Sequence, residues 1–128
     1  MTTGAPRSPH FPGAAAIESY GNGGFRFAGM SHRGSLLCLP DGIWAWDVES
    51  ADDIGEDDFA PVFARAGAID TLLVGTGRAI WRAPAALVAR MREHRVVMEV
   101  TQTGPALRAY NIMVGERRRV AAALIAVA

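Results

Sequence analysis

The chain has 128 residues, 50% of them hydrophobic and 20% charged, and thirteen Asp plus Glu balance thirteen basic residues for a formal net charge of zero. That size suits one globular domain with its own core and leaves no room for separate catalytic and regulatory domains. All thirteen basic residues are Arg, which excludes Schiff-base, pyridoxal-phosphate and phosphate-loop mechanisms, because each needs a lysine amine.

Residues 1–16 carry Pro6, Pro9 and Pro12 at three-residue spacing and read as a flexible, extended arm ahead of a single domain over 17–128. The first sixteen residues hold no secretory apolar stretch, and the lone Cys38 suits a reducing compartment, so the expected location is cytoplasmic. Residues 17–20 and 25–28 flank Gly21-Asn22-Gly23-Gly24 and read as a hairpin. Residues 35–39 and 43–48 flank Pro40-Asp41-Gly42 and form a second, with Trp44 and Trp46 on one face.

Between Asp41 and Asp58 stand eight acids and no base, followed by Phe59, Val62, Phe63 and Ala66 at helical spacing. Acids complement the positive end of a helix, Pro61 is tolerated only in its first turn, and Gly67 supplies a stop. Residues 70–74 read as a buried strand ending at Gly75-Thr76-Gly77. A helix follows over 84–94, with Pro84 at its first position and Leu87, Val88 and Met91 on one face. Residues 96–100 form another strand. Thr103-Gly104-Pro105 opens a helix to about Val114 that Gly115 ends, and residues 118–127 form the last strand. The apolar run at 120–128 is nine residues long, against about 20 for a membrane-spanning helix, and reads as a buried strand. The order predicts an α/β domain with a mixed sheet, in which strands 70–74 and 96–100 run parallel.

Open α/β sheets bind ligands at the C-terminal ends of parallel strands. The candidate ligand-binding residues are therefore Gly75, Thr76, Gly77 and Arg78 on one loop and Thr101 and Thr103 on the next, with Asn111 on the following helix. A dinucleotide fingerprint does not fit, since Ile80 takes the third glycine position. Free N–H groups near Gly104 and Ala106, with Arg78 or Arg82 as counter-charge, suit an anion; helix capping by Thr103 is the competing account.

His10, His32 and His94 are scattered without ligand spacing, Cys38 lies in an apolar run that marks a core thiol, and the acidic stretch lacks the pattern of a calcium loop. No catalytic set, metal or cofactor is expected. Residues 65–128 hold ten Arg against four acids, a net of +6, including Arg117, Arg118 and Arg119. With zero overall charge and no aromatic-rich strand, such a face fits a protein partner better than nucleic acid.

Four segments together carry a resemblance: Tyr20-Gly21-x-Gly23-Gly24-Phe25-x-Phe27; Gly34-Ser35-Leu36-Leu37-x-x-Pro40 with Trp46; Leu72-Leu73-Val74-Gly75-Thr76-Gly77; and Arg108-x-Tyr110-Asn111 with Glu116 and residues 119–124. Over 17–128 the chain resembles the small Mth938-like family that includes the mitochondrial respiratory complex I assembly factor three and many uncharacterised bacterial and archaeal members. It departs at Ala109, where a small hydroxyl residue is usual, and at Arg117, where glycine is usual.

The resemblance implies a three-layer α/β fold with a central mixed sheet and N-terminal β-hairpins. It also implies a non-enzymatic role at an inner membrane beside a second assembly factor. The leading expectation is an interaction domain, peripheral to that membrane, that docks through Arg117, Arg118 and Arg119 on a protein partner such as a membrane-complex subunit or second assembly factor. The alternative is an anion-binding or small-molecule-binding protein, or an enzyme, using the Gly75-Thr76-Gly77 and Thr101–Thr103 loops.

Overall fold

The run Val120-Ala-Ala-Ala-Leu124 is buried along its whole length, the pattern of a strand covered on both faces. In a computed structural model describing residues 9–128, it is the middle of a five-stranded mixed sheet. The elements are β1 (Ile17–Gly21), β2 (Gly24–Phe27), β3 (Met30–Arg33), β4 (Ser35–Leu39), β5 (Gly42–Trp46), α1 (Ala60–Ala64), β6 (Thr71–Gly75), α2 (Ala85–Glu93), β7 (Val97–Thr101), α3 (Thr103–Gly115) and β8 (Val120–Leu124). The main sheet has the order β5-β4-β8-β6-β7, and β1-β2-β3 form a separate antiparallel sheet. β6 is parallel to both β7 and β8, whereas β4 is antiparallel to β8 and β5.

Alternation along the central strands sends side chains into two cores. Leu37, Leu39, Leu72, Val74, Ala121 and Ala123 meet Phe59, Val62, Leu87 and Met91 on one face. Leu36, Cys38, Leu73, Ala122 and Leu124 meet Ala106, Leu107 and Tyr110 of α3 and Ile17, Phe25 and Phe27 of the small sheet on the other. The result is three layers: α1 and α2, the main sheet, then α3 with the small sheet. The acidic stretch does lead into a helix, but only a short one. Glu56–Phe59 and Ala66–Ala68 are 3-10 turns on either side of α1.

Strand β3 is absent from the sequence reading. The turn before it is Ala28-Gly29, with φ of 51° and 73°. Both central residues have positive φ, as a tight hairpin turn requires, but alanine at the first of them is an uncommon choice that conceals the hairpin. Pro84 is the residue before α2 rather than its first. Residues 1–8, with Pro6, lie outside the described residues. Beyond them, His10 N–H donates to Ile43 O at 2.8 Å and Ile43 N–H to Phe11 O at 3.0 Å, so this segment lies along the outer edge of β5.

α3 runs through Gly115, and the left-handed residue that closes it is Arg117, with φ of 59°. Arg117 N–H donates to Val114 O and Arg118 N–H to Met113 O, the bonding of a glycine-type helix stop. α2 ends the same way at Arg95, φ 61°, with Arg95 N–H on Arg92 O and Val96 N–H on Met91 O. A side chain in this conformation costs about 1 kcal/mol. Arg117→Gly is therefore expected to raise unfolding stability by about 1 kcal/mol, read as a shift of the urea midpoint at unchanged slope.

Candidate functional site

The ends of β6 and β8 and the start of α3 converge on Thr103. Its hydroxyl accepts from Gly77 N–H at 2.9 Å and donates to Ile125 O at 2.7 Å, in a fully buried position. Thr103 N–H donates to Gly77 O at 3.0 Å, and Ile125 N–H donates to Gly75 O at 2.8 Å. Gly75 must be glycine here, since a Cβ would lie 2.8 Å from Thr103 Cα and 3.0 Å from Leu124 Cδ2. Thr76 is also buried; its N–H donates to Thr101 O at 2.9 Å and its hydroxyl to Ala79 O at 2.8 Å.

The structure thus brings Gly75, Thr76, Gly77, Thr101 and Thr103 together, and their polar groups largely satisfy one another. The residue preceding α3 is Gln102, whose side chain makes no cap. Its amide reaches across to Arg78 O at 3.1 Å. The first N–H of α3 already has Gly77 O, and Tyr20 lies so close to the next residue that a Cβ on Gly104 would collide with the Tyr20 hydroxyl. Arg78 is exposed beside a recess of about 290 Å³, lined also by Glu49 and Asp52 and by 125–128.

Asn111 serves elsewhere. Its side-chain oxygen accepts from Ile17 N–H and its amide donates to Ile17 O, both at 2.8 Å, like one rung of a β-ladder. This clamp ties the small sheet to α3, and neither contact was legible from residue type or spacing. Ser35 plays a related part: its hydroxyl accepts from Ala126 N–H at 3.0 Å, holding the chain after β8 against β4.

Cys38 is buried beside Tyr110, and burial pushes its thiol up to about 12, against a smaller opposing effect of the Tyr110 hydrogen bond. The thiolate needed by a nucleophile is therefore suppressed at neutral pH. Burial also raises the Tyr110 hydroxyl, and the adjacent Cys38 adds to it. His32 is lowered from its ordinary value, first by burial and further by the ring of His10 at 4.9 Å, while its contact with Ser35 O at 3.1 Å opposes this. Among the described residues no group of three or more His, Cys, Asp or Glu converges at metal-binding distance. The basic segment is exposed: Arg119 pairs with Asp70 at 3.2 Å and donates to Gly67 O, and Arg118 lies 3.8 Å from Glu116.

Comparisons with known proteins accord with this architecture. A family described as protein of unknown function (DUF498/DUF598) matches residues 17–125. A solved protein of Rhodopseudomonas palustris superposes with a TM-score of 0.82 at 55% identity, over 99% of this chain and 93% of that one. A Bordetella pertussis structure, described as a Mth938-like domain, superposes with a TM-score of 0.77 over 98% of this chain and 92% of that one; its 22% identity shows the fold alone. The mouse NADH dehydrogenase [ubiquinone] 1 alpha subcomplex assembly factor 3 is 33% identical over 115 residues, covering 90% of this chain and 62% of its own length.

Two substitutions separate the structural roles. Thr103→Val keeps the volume but strands the Gly77 N–H and Ile125 O in a buried place, and should cost about 2–4 kcal/mol in denaturant unfolding. Asn111→Ala removes the clamp, and amide exchange should accelerate in β1–β3 well before it does in β6 and β8.

Proposed function

Because the chain belongs to the DUF498/DUF598 family, we propose that it is a non-enzymatic interaction domain that assists assembly of a membrane-bound respiratory complex by docking on a protein partner. The single observation that carries this reading is the 33% identity to a protein named as an assembly factor for NADH dehydrogenase, spread over 90% of this chain. The domain offers no helix among its described residues that is long and apolar enough to cross a membrane, so contact with a membrane complex would be peripheral. The exposed Arg117, Arg118 and Arg119 present a basic surface at the end of α3, with only exposed partners at Asp70 and Glu116. Exposed ion pairs of this kind are weak and easily exchanged for a partner's acids.

A second reading, anion or small-molecule binding, draws on the recess beside Thr76, Gly77 and Arg78. Thr101 is exposed near it, whereas Asn111 is committed to Ile17. It requires a ligand that enters beside Glu49 and Asp52, which favours a ligand contacting the exposed Arg78 over one reaching the buried Thr103.

The test is in-cell crosslinking of the tagged protein followed by mass spectrometry, with Arg117→Glu, Arg118→Glu, Arg119→Glu as the comparison. Subunits or assembly proteins of a membrane respiratory complex should be recovered with the wild type and depleted at least severalfold with the variant. Recovery of no such protein above background would remove the assembly reading. Amide shifts at Gly77, Arg78 and Thr101 on titration with inorganic phosphate or nucleotides would then favour the ligand reading.

A further inference from the structure

The two edges of the main sheet are treated differently. The outer edge of β5 is occupied by the chain itself, through the hydrogen bonds of Ile43 with His10 and Phe11. β7, at the other edge, pairs among the described residues with β6 alone. Val97 N–H donates to Asp70 O and Thr101 O accepts from Thr76 N–H, so residues 97, 99 and 101 turn their backbone groups inward. By alternation, the N–H and C=O of Met98 and Val100 face outward, and no strand among the described residues takes them up.

Beside this edge lies a groove of about 320 Å³ between α2 and β7, lined by Val88, Met91, Val96, Val97 and Met98 with Arg92 and Arg95. Val97 is 60% exposed. Arg90 on the same helix is paired with Glu56 at 2.6 Å, whereas Arg92 and Arg95 have no ion-pair partner among the described residues. Glu93 and Glu99 are the acids nearest in sequence, and both are exposed.

We propose that the outer edge of β7 is the docking site for an extended, acid-bearing segment of a protein partner, which joins the main sheet as a sixth strand. The proposal rests on the interaction reading above and adds a second contact surface to the basic one at Arg117, Arg118 and Arg119. Backbone bonds to Met98 and Val100 supply the pairing, an apolar side chain of the segment fills the groove, and a carboxylate meets Arg92 and Arg95. A second copy of this chain fits less well. Antiparallel pairing of β7 with itself, centred on the strand, sets Glu99 directly against its own copy, and like charges so placed repel.

Two variants probe the edge, one at the half-buried Met98, whose side chain also packs against the core, and one at the exposed Arg95. Met98→Pro removes an outward N–H that bonds no described residue, and an edge strand tolerates proline where its N–H faces outward. Arg95→Gly removes a charge at a position whose φ glycine prefers, so it keeps the test intact even where the proline variant fails to fold. A phage-displayed library of random twelve-residue peptides, panned on the full chain, is the probe. Enriched peptides should alternate apolar residues and carry an acid, should slow exchange of the Met98 and Val100 amides, and should bind each variant at least tenfold more weakly. Lack of enrichment, binding to both variants as tight as to the wild type, or protection confined to other strands would overturn the proposal. Concentration-dependent self-association that protects the same amides without peptide would overturn it in favour of a second copy. If the edge fails while crosslinking still recovers respiratory subunits, the interaction reading stands and only its placement on β7 is lost.

Discussion

The hydroxyl of Thr103 is the point on which the arrangement of the layers turns. It joins the loop after β6 to the chain leaving β8, through Gly77 N–H and Ile125 O, and it does so at the first turn of α3. Because the backbone of Gly75 lies directly against Thr103, the helix can start close enough to the sheet for that hydroxyl to reach both partners. Buried hydrogen bonds of this kind stabilise modestly when made and cost more when broken. The junction therefore does more to fix where α3 begins than to add net stability.

From that anchor, the small residues of β8 determine how tightly the layers close. Ala121, Ala122 and Ala123 fill the sheet centre with little side-chain volume, so larger residues from the flanking elements supply the bulk: Phe59, Leu87 and Met91 on one face, Tyr110, Phe25 and Phe27 on the other. The Asn111 clamp on Ile17 then holds the small sheet to α3. Half of one covering layer is thus a β-sheet joined to a helix by a side chain that imitates backbone.

This economy bears on function. At the loops where an open α/β sheet ordinarily receives a ligand, Gly77 and Thr103 bond to each other, and the buried Cys38 thiol is held in its neutral form. Its outside carries an arginine cluster beyond α3 and, beside an arginine-rimmed groove, a strand edge that no described strand pairs with. A fold can keep its architecture while its working surface moves, and the surfaces left open here are suited to other chains.

Much of the fold was legible locally. The turns at 21–24 and 40–42 located β1, β2, β4 and β5, helical spacing located α1 to α3, and the order of elements implied parallel pairing of β6 with β7. The Arg-only basic set and the low-complexity C-terminal strand were equally plain, because each depends only on residue type or on neighbours a few positions away. The tertiary structure alone decided that β8 lies between β4 and β6, that the N-terminal strands form their own sheet, and that Asn111 bonds to the backbone of Ile17. It also decided that Thr103 faces inward to a junction instead of capping α3. Each of these depends on residues far apart in sequence, 94 positions in the case of Ile17 and Asn111, and periodicity carries no information at that range. Strand β3 escaped for a local reason, since Ala28 adopts a positive φ that its residue type does not announce.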